Sequence, residues 1–208
     1  MLEASWLLFI AASLVLIATP GQDMILVMSR SIAQGPGAGV VTAAGVSLGL
    51  VGHTLLATLG LGAILRTSEL LFTALKLVGA AYLVYLAVGL LRTTHAELPV
   101  SASGPRSPAR LFADGALSNL SNPKIAIFYF AFLPQFVVAD AAHPTLTVFV
   151  LGLLFAALTF VVKGPVGLFA GLLSGWLRSR PRVLTWVYRS SGAVLVALGL
   201  RLALERRP

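Results

Sequence analysis

The sequence predicts an all-α integral membrane protein: six transmembrane helices as two inverted three-helix repeats, the first helix of each broken by proline. Three observations predict it. Of 208 residues, 58% are hydrophobic and 11% charged, with a mean hydropathy of +0.94; a soluble domain is nearer half apolar and a quarter charged. The apolar residues fall into six runs of bilayer-spanning length, and the two halves of the chain carry matching signals. A soluble fold of this size could not hide so much apolar surface, so most of it faces lipid.

The same composition excludes other classes. Disorder needs low hydrophobicity. The absence of cysteine excludes a disulfide scaffold, a thiolate metal site and a cysteine nucleophile. Fifteen Lys and Arg against seven Asp and Glu give a net charge of +8. These cations sit in short segments between apolar runs, where they orient a membrane protein. No nucleic-acid-binding motif accompanies them, and no nucleic-acid partner is expected. His-Glu-x-x-His, paired carboxylates and Gly-x-Ser-x-Gly are all missing, so an enzyme is not expected. With three histidines and seven acids dispersed, neither a metal cluster nor a cofactor is expected.

A span needs about 20 apolar residues. The first runs over 5–30; Glu3 stands where a secretory signal is basic, and the run meets Pro20-Gly21 instead of a small-residue cleavage site, so it reads as a retained span. Gly35-Pro36-Gly37 separates it from the second span, 38–65. The tight Arg66-Thr67 turn precedes the third, 68–91. A Pro/Ser-rich segment, 92–110, then divides the chain before spans at 110–137, 145–173 and 182–204. Loops this short predict a single membrane domain over 1–208, with repeats at 1–91 and 111–208. Seven arginines on the side of the 92–110 loop against four opposite put that loop in the cytoplasm and both termini outside; the basic C-terminus pulls the other way.

The repeats are visible in detail. Thr19-Pro20-Gly21 interrupts the first span and Ser121-Asn122-Pro123 the fourth. Lys76-x-x-Gly79-Ala80 opens the third span much as Arg189-x-x-Gly192-Ala193 opens the sixth. Three spans per copy invert the second relative to the first. Inverted repeats with proline-broken helices point to a secondary transporter whose site lies at the midplane, where the breaks meet.

A break at depth is tolerated only where it lines a cavity or is buried in protein. The half-helix after Pro20-Gly21 aims free N–H groups into the bundle, an arrangement that binds carboxylates. Asp23, the acid deep within a span, caps that half-helix, or binds an ammonium group or carries a proton, and the structural and functional roles are compatible. Lys124, beside Asn122-Pro123, is too central to snorkel easily; it is a counter-charge for a substrate carboxylate or for Asp23, or a structural ion-pair partner. Asp114, Ser118 and Asn122 share a helical face and suggest a water-lined path, unless Asp114 lies at the interface. Lys163-Gly164-Pro165 repeats the theme of a deep cation beside a breaker pair, with structural and functional readings evenly open. Lys76 can snorkel. His53 either couples protons or donates between helices. Tyr82, Tyr85, Tyr129 and Gln135 line a pocket or, more commonly, bond between helices.

The run from Thr19-Pro20-Gly21-Gln22-Asp23-Met24 through Gly37 and Gly45, then Lys76 to Tyr82, then Asn122-Pro123-Lys124 through Leu133-Pro134-Gln135-Phe136, resembles the LysE/RhtB family of bacterial amino-acid exporters. The likeness covers nearly the whole chain. It implies export of amino acids or close derivatives across the inner membrane by proton antiport, in a homo-oligomer within membrane lipid. One departure is visible: that family's first break usually reads Pro-Gly-Pro, and here Gln22 replaces the second proline. The turn should survive, with an added amide in the pocket and the choice among lysine, arginine, threonine and homoserine left open. The candidate substrate-binding residues are Gly21, Gln22, Asp23, Asn122, Lys124 and Gln135, with Asp23 and His53 for proton coupling and Pro20, Gly21, Pro123, Gly164 and Pro165 as helix breakers. The alternatives are an exporter of divalent cations or other solutes within the superfamily, disfavoured by the mostly positive deep charges, and a non-transporting membrane subunit.

Overall fold

Five helices begin on a proline, and this alone places much of the architecture. Proline lacks the N–H that the first helical position leaves unpaired anyway, and its fixed φ suits a helix start. In a computed structural model, Pro36, Pro108, Pro123, Pro144 and Pro181 each open a helix. The structure describes residues 6–19, 21–67, 69–92, 105–137, 143–170, 172–173, 176 and 179–204. For 61–67, 69–73, 75, 76, 123, 124, 181, 184 and 202 it describes the backbone alone. Pro20 and most of the 92–110 loop therefore lie outside the described residues, as do Asp140 and Arg178.

The helices are α1 (Trp6–Ala18), α2 (Gln22–Gln34), α3 (Pro36–Thr67), α4 (Glu69–Leu91), α5 (Pro108–Leu120), α6 (Pro123–Phe132), α7 (Pro144–Leu168) and α8 (Pro181–Leu204), with a 3₁₀ turn at Leu133–Phe136. The fold is all-α among the described residues. By length and composition Pro36–Gly60 and Pro144–Leu168 can each cross a membrane, and α1 with α2, bent by 54° at their break, are together apolar and long enough for a third broken span or a re-entrant loop. The other apolar helical stretches are shorter, Leu77–Leu91 and Ile125–Phe136.

Between α2 and α3 the chain reverses at Gly35, whose φ of 93° lies in the left-handed region open to glycine. Its N–H closes α2 by donating to the Ser31 carbonyl at 2.8 Å. One expected break is absent. Helix α7 runs through Gly164-Pro165 and ends at Leu168. Pro165 stands in the last turn, so it removes a single ladder bond while the residues after it still reach carbonyls one turn back; the Phe169 N–H bonds the Pro165 carbonyl at 3.0 Å.

Lipid supplies no hydrophobic force between helices, so close packing of small residues holds a bundle together. Helix α3 packs mainly on α7 and α5, and α4 on α8. Glycines mark these contacts: Gly39 meets Gly167, Gly45 meets the Phe112 carbonyl, and Gly152 meets Thr54. On α8, Gly192 and Gly199 lie against the Ala87 and Ala80 carbonyls of α4. An aromatic cluster fills the space between α1, α6 and α7. Phe128 stacks on Phe132 at 4.8 Å, Phe9 meets Phe136 edge-on at 5.1 Å, and Tyr129 meets Phe155 edge-on at 5.5 Å. Such geometries add to the area these rings bury.

Candidate functional site

The two interrupted helices meet. Helix α2 starts at Gln22 after an extended Gly21 (φ −143°), and α5 stops at Leu120 before Pro123 opens α6. Gln22 spans the gap between these breaks. Its Nε2 donates to Ser118 Oγ at 3.4 Å, and its Oε1 accepts from Asn122 Nδ2 at 3.2 Å. The amide that stands in place of a second proline thus links the two interruptions.

One residue further on, Asp23 is buried, 6% exposed. It does not cap α2, which has Gly21 at its N-cap and no side-chain cap. Instead its Oδ2 accepts from Lys163 Nζ of α7 at 3.2 Å and from Asn119 Nδ2 of α5 at 2.9 Å. Both carboxylate and ammonium are nearly out of contact with solvent, so each requires the other. The second oxygen, Oδ1, is buried with no partner. The deep acid and a deep cation of the sequence are therefore joined, and that cation is Lys163. Lys124 is the second residue of α6, just after the second break, and only its backbone is among the described parts.

Beside this pair is a cavity of about 310 Å³, near the lower end of small-ligand pockets, which begin at about 300 Å³. Gly21, Gln22, Asp23, Asn122 and Lys163 line it, together with Thr19, Thr159 and an apolar wall from α1, α3, α4, α6, α7 and α8. Gly21 presents its bare backbone: a Cβ there would meet nothing within 4 Å. The first N–H groups of α2, which have no partner within the helix, begin at this wall.

Other candidates stand elsewhere. Gln135 is buried in the 3₁₀ turn, where its Nε2 donates to the Ala131 carbonyl at 2.9 Å, and it is not among the cavity-lining residues. His53 is buried 3.0 Å from the Asn119 carbonyl, which it bonds through Nε2–H, and its ring lies 5.9 Å from that of Tyr129. It reaches Asp23 only through Asn119. Tyr129 points its hydroxyl at the Gly152 carbonyl, and Tyr85 is exposed.

The stripe of Asp114, Ser118 and Asn122 divides in two. Ser118 and Asn122 join Gln22, whereas Asp114 holds Arg110 at 3.1 Å, Arg30 at 3.8 Å and Arg106. These arginines come from α2, from α5 and from the segment preceding α5. Arg110 is well exposed, and an exposed pair is worth about 0–1 kcal/mol. Arg30 is buried, 6% exposed. Asp114→Asn is therefore expected to lower the unfolding temperature in detergent clearly more than Arg110→Ala. Equal shifts would show that the cluster is held only at the surface.

Sequence reasoning left Lys163 undecided and passed over Asn119. Charge matching was the available signal for the first, because a deep lysine needs a counter-charge and Asp23 was the deep acid. For Asn119 no spacing rule pointed to it; it lies beside the Ser118 stripe, and only the crossing of α5 over α2 brings it to Asp23.

A family model described as LysE type translocator matches residues 14–206. An uncharacterized membrane protein of Pseudomonas aeruginosa is 33% identical over 193 residues, covering 90% of this chain and 89% of its own. The homoserine/homoserine lactone efflux protein of Salmonella typhimurium is 30% identical over 202 residues, 97% of each chain. The leucine efflux protein of Klebsiella pneumoniae is 26% identical over 200 residues, 96% of this chain and 94% of its own. No solved structure matches.

Proposed function

The chain belongs to the LysE type translocator family, and on that premise we propose that it exports amino acids or close derivatives across the inner membrane in exchange for protons. Relatives named as efflux proteins for homoserine and leucine support the substrate class. A single observation carries the mechanism: the buried Asp23–Lys163 pair stands in the wall of a cavity where two broken helices meet.

An amino acid brings one ammonium and one carboxylate to that pair. Its carboxylate meets Lys163 and the free N–H groups that begin α2 after Gly21. Its ammonium meets Asp23, whose Oδ1 lacks a donor. Gln22 and Asn122 frame the opening, and His53 holds Asn119 in place behind the carboxylate. A proton arriving at Asp23 from outside competes with the ammonium for the same oxygens, so substrate release and proton uptake are two sides of one exchange. The packing of α3 on α7 and of α4 on α8 sets helices of one half against their counterparts in the other, which supports the inverted-repeat, six-span reading.

The test is efflux from proteoliposomes loaded with mixed amino acids under an imposed pH gradient. The wild type should release a subset of them, faster with the gradient. Asp23→Asn should leave residual flux that no longer responds to pH. An unchanged pH response would remove Asp23 from the exchange. Lys124→Ala, run alongside, tests whether the second break adds a cation to the site. Efflux of divalent cations without amino acids would replace the substrate class.

A further inference from the structure

We infer that the cavity selects amino acids with an uncharged aliphatic side chain, and that Leu86 and Leu90 of α4 set this preference. The inference rests on the reading of the cavity as the substrate site and narrows its substrate.

Charge comes first. Among the described residues lining the cavity, Asp23 and Lys163 are the charged ones, and they cancel. The ammonium and carboxylate common to every amino acid use both. A side chain with a third charge, as in lysine or glutamate, then enters without a counter-charge, and an unpaired buried charge is strongly disfavoured.

The neutral polar groups come next. Gln22 and Asn122 bond each other at 3.2 Å. The Thr159 hydroxyl donates to the Phe155 carbonyl at 2.8 Å, and the Thr19 hydroxyl to the Val15 carbonyl at 3.0 Å, each within its own helix. A pocket that recognises a substrate hydroxyl keeps polar groups waiting for it, and discriminates because those groups go unpaired with the wrong ligand. Here the lining groups donate elsewhere, so a hydroxylated side chain gains little over an aliphatic one.

The rest of the wall is apolar. Leu16 and Ile17 of α1, Leu86 and Leu90 of α4 and Leu195 of α8 line it away from the ion pair's own helices. Leu86 and Leu90, four residues apart, share one face of α4. Both are half-buried at the edge of the main hydrophobic cluster, unlike Leu195 at 3% exposed, so a change there disturbs less packing than one at Leu195. A cavity lined by one ion pair and for the rest mainly by leucine and isoleucine, with Phe128 and Phe155 beside them, fits a branched or straight hydrocarbon side chain, and its volume of about 310 Å³ admits one amino acid at a time.

The experiment loads proteoliposomes with equimolar leucine, homoserine and lysine and follows all three outward from the same vesicles. The expected result is leucine leaving about tenfold faster than either competitor, the scale of discrimination that a hydrocarbon pocket achieves. Leu90→Asp should admit lysine and slow leucine, because it supplies the missing counter-charge; if that variant fails to reach the membrane, Leu86→Asp carries the same test. Wild-type efflux led by homoserine or lysine overturns this inference while leaving amino-acid export standing. Unchanged ratios in the aspartate variants overturn the assignment to α4. No efflux of any of the three overturns the export reading and this inference together.

Discussion

Replacing Lys163 with alanine is expected to stop transport and to lower the unfolding free energy by about 3–5 kcal/mol, because it leaves the Asp23 carboxylate buried without its partner. A simple loss of activity would not separate a working charge from a structural one. The double variant Asp23→Asn with Lys163→Met does. Removing both charges of a buried pair together is often nearly neutral, so the double variant should regain most of the lost stability, read as thermal unfolding in detergent. On the proposed mechanism it should regain no transport, having nothing to hold an ammonium or a carboxylate. Recovery of both stability and flux would reduce the pair to a structural clasp between α2 and α7.

The second large effect is steric. Gly45→Val is expected to abolish accumulation of folded protein. A Cβ on Gly45 would overlap the Phe112 carbonyl oxygen, lie 2.9 Å from the carbonyl carbon and stand 3.1 Å from the Ala116 nitrogen. These are backbone atoms of α5 and cannot rotate away. Overpacking a core costs about 1–3 kcal/mol where neighbours adjust, and valine here would have to force two helices apart. Gly21→Ala is the control, since its added methyl group meets nothing within 4 Å and its backbone is extended. It should fold normally, so any loss of flux in that variant reports on the cavity wall alone. Normal yields of Gly45→Val would mean that α3 and α5 are further apart than described.

Much of the scaffold was legible because its punctuation is local. Proline at a first helical position and the Gly35-Pro36 turn act on their own neighbours, so spans read at 38–65, 68–91 and 182–204 correspond to α3, α4 and α8. The breaks at Gly21 and Pro123 were legible for the same reason. Gly164-Pro165 was not: proline costs a helix one ladder bond to the carbonyl four residues back, and whether the chain kinks there or carries on, as α7 does to Leu168, is decided by the packing around it. Asp23 could be recognised as the deep acid, yet its partner could not be read from spacing: Lys163 lies 140 residues away, and nothing local favours it over Lys124. Gln135 is the opposite case. Its position in the most distinctive motif of the chain suggested the pocket, and a bond to the Ala131 carbonyl near the end of α6 holds it in the core.

The neutrality of the Asp23–Lys163 pair bears on how the membrane voltage enters. Loaded with a zwitterion, the site carries no net charge, so its outward reorientation does no electrical work. Returning with Asp23 protonated, it carries the charge of Lys163 alone, one positive charge moving inward. That step is worth about 2.3 kcal/mol per 100 mV, and an interior-negative potential favours it. On this scheme voltage drives the empty return while leaving the loaded step untouched. A potential imposed without a pH difference should then speed turnover under saturating substrate.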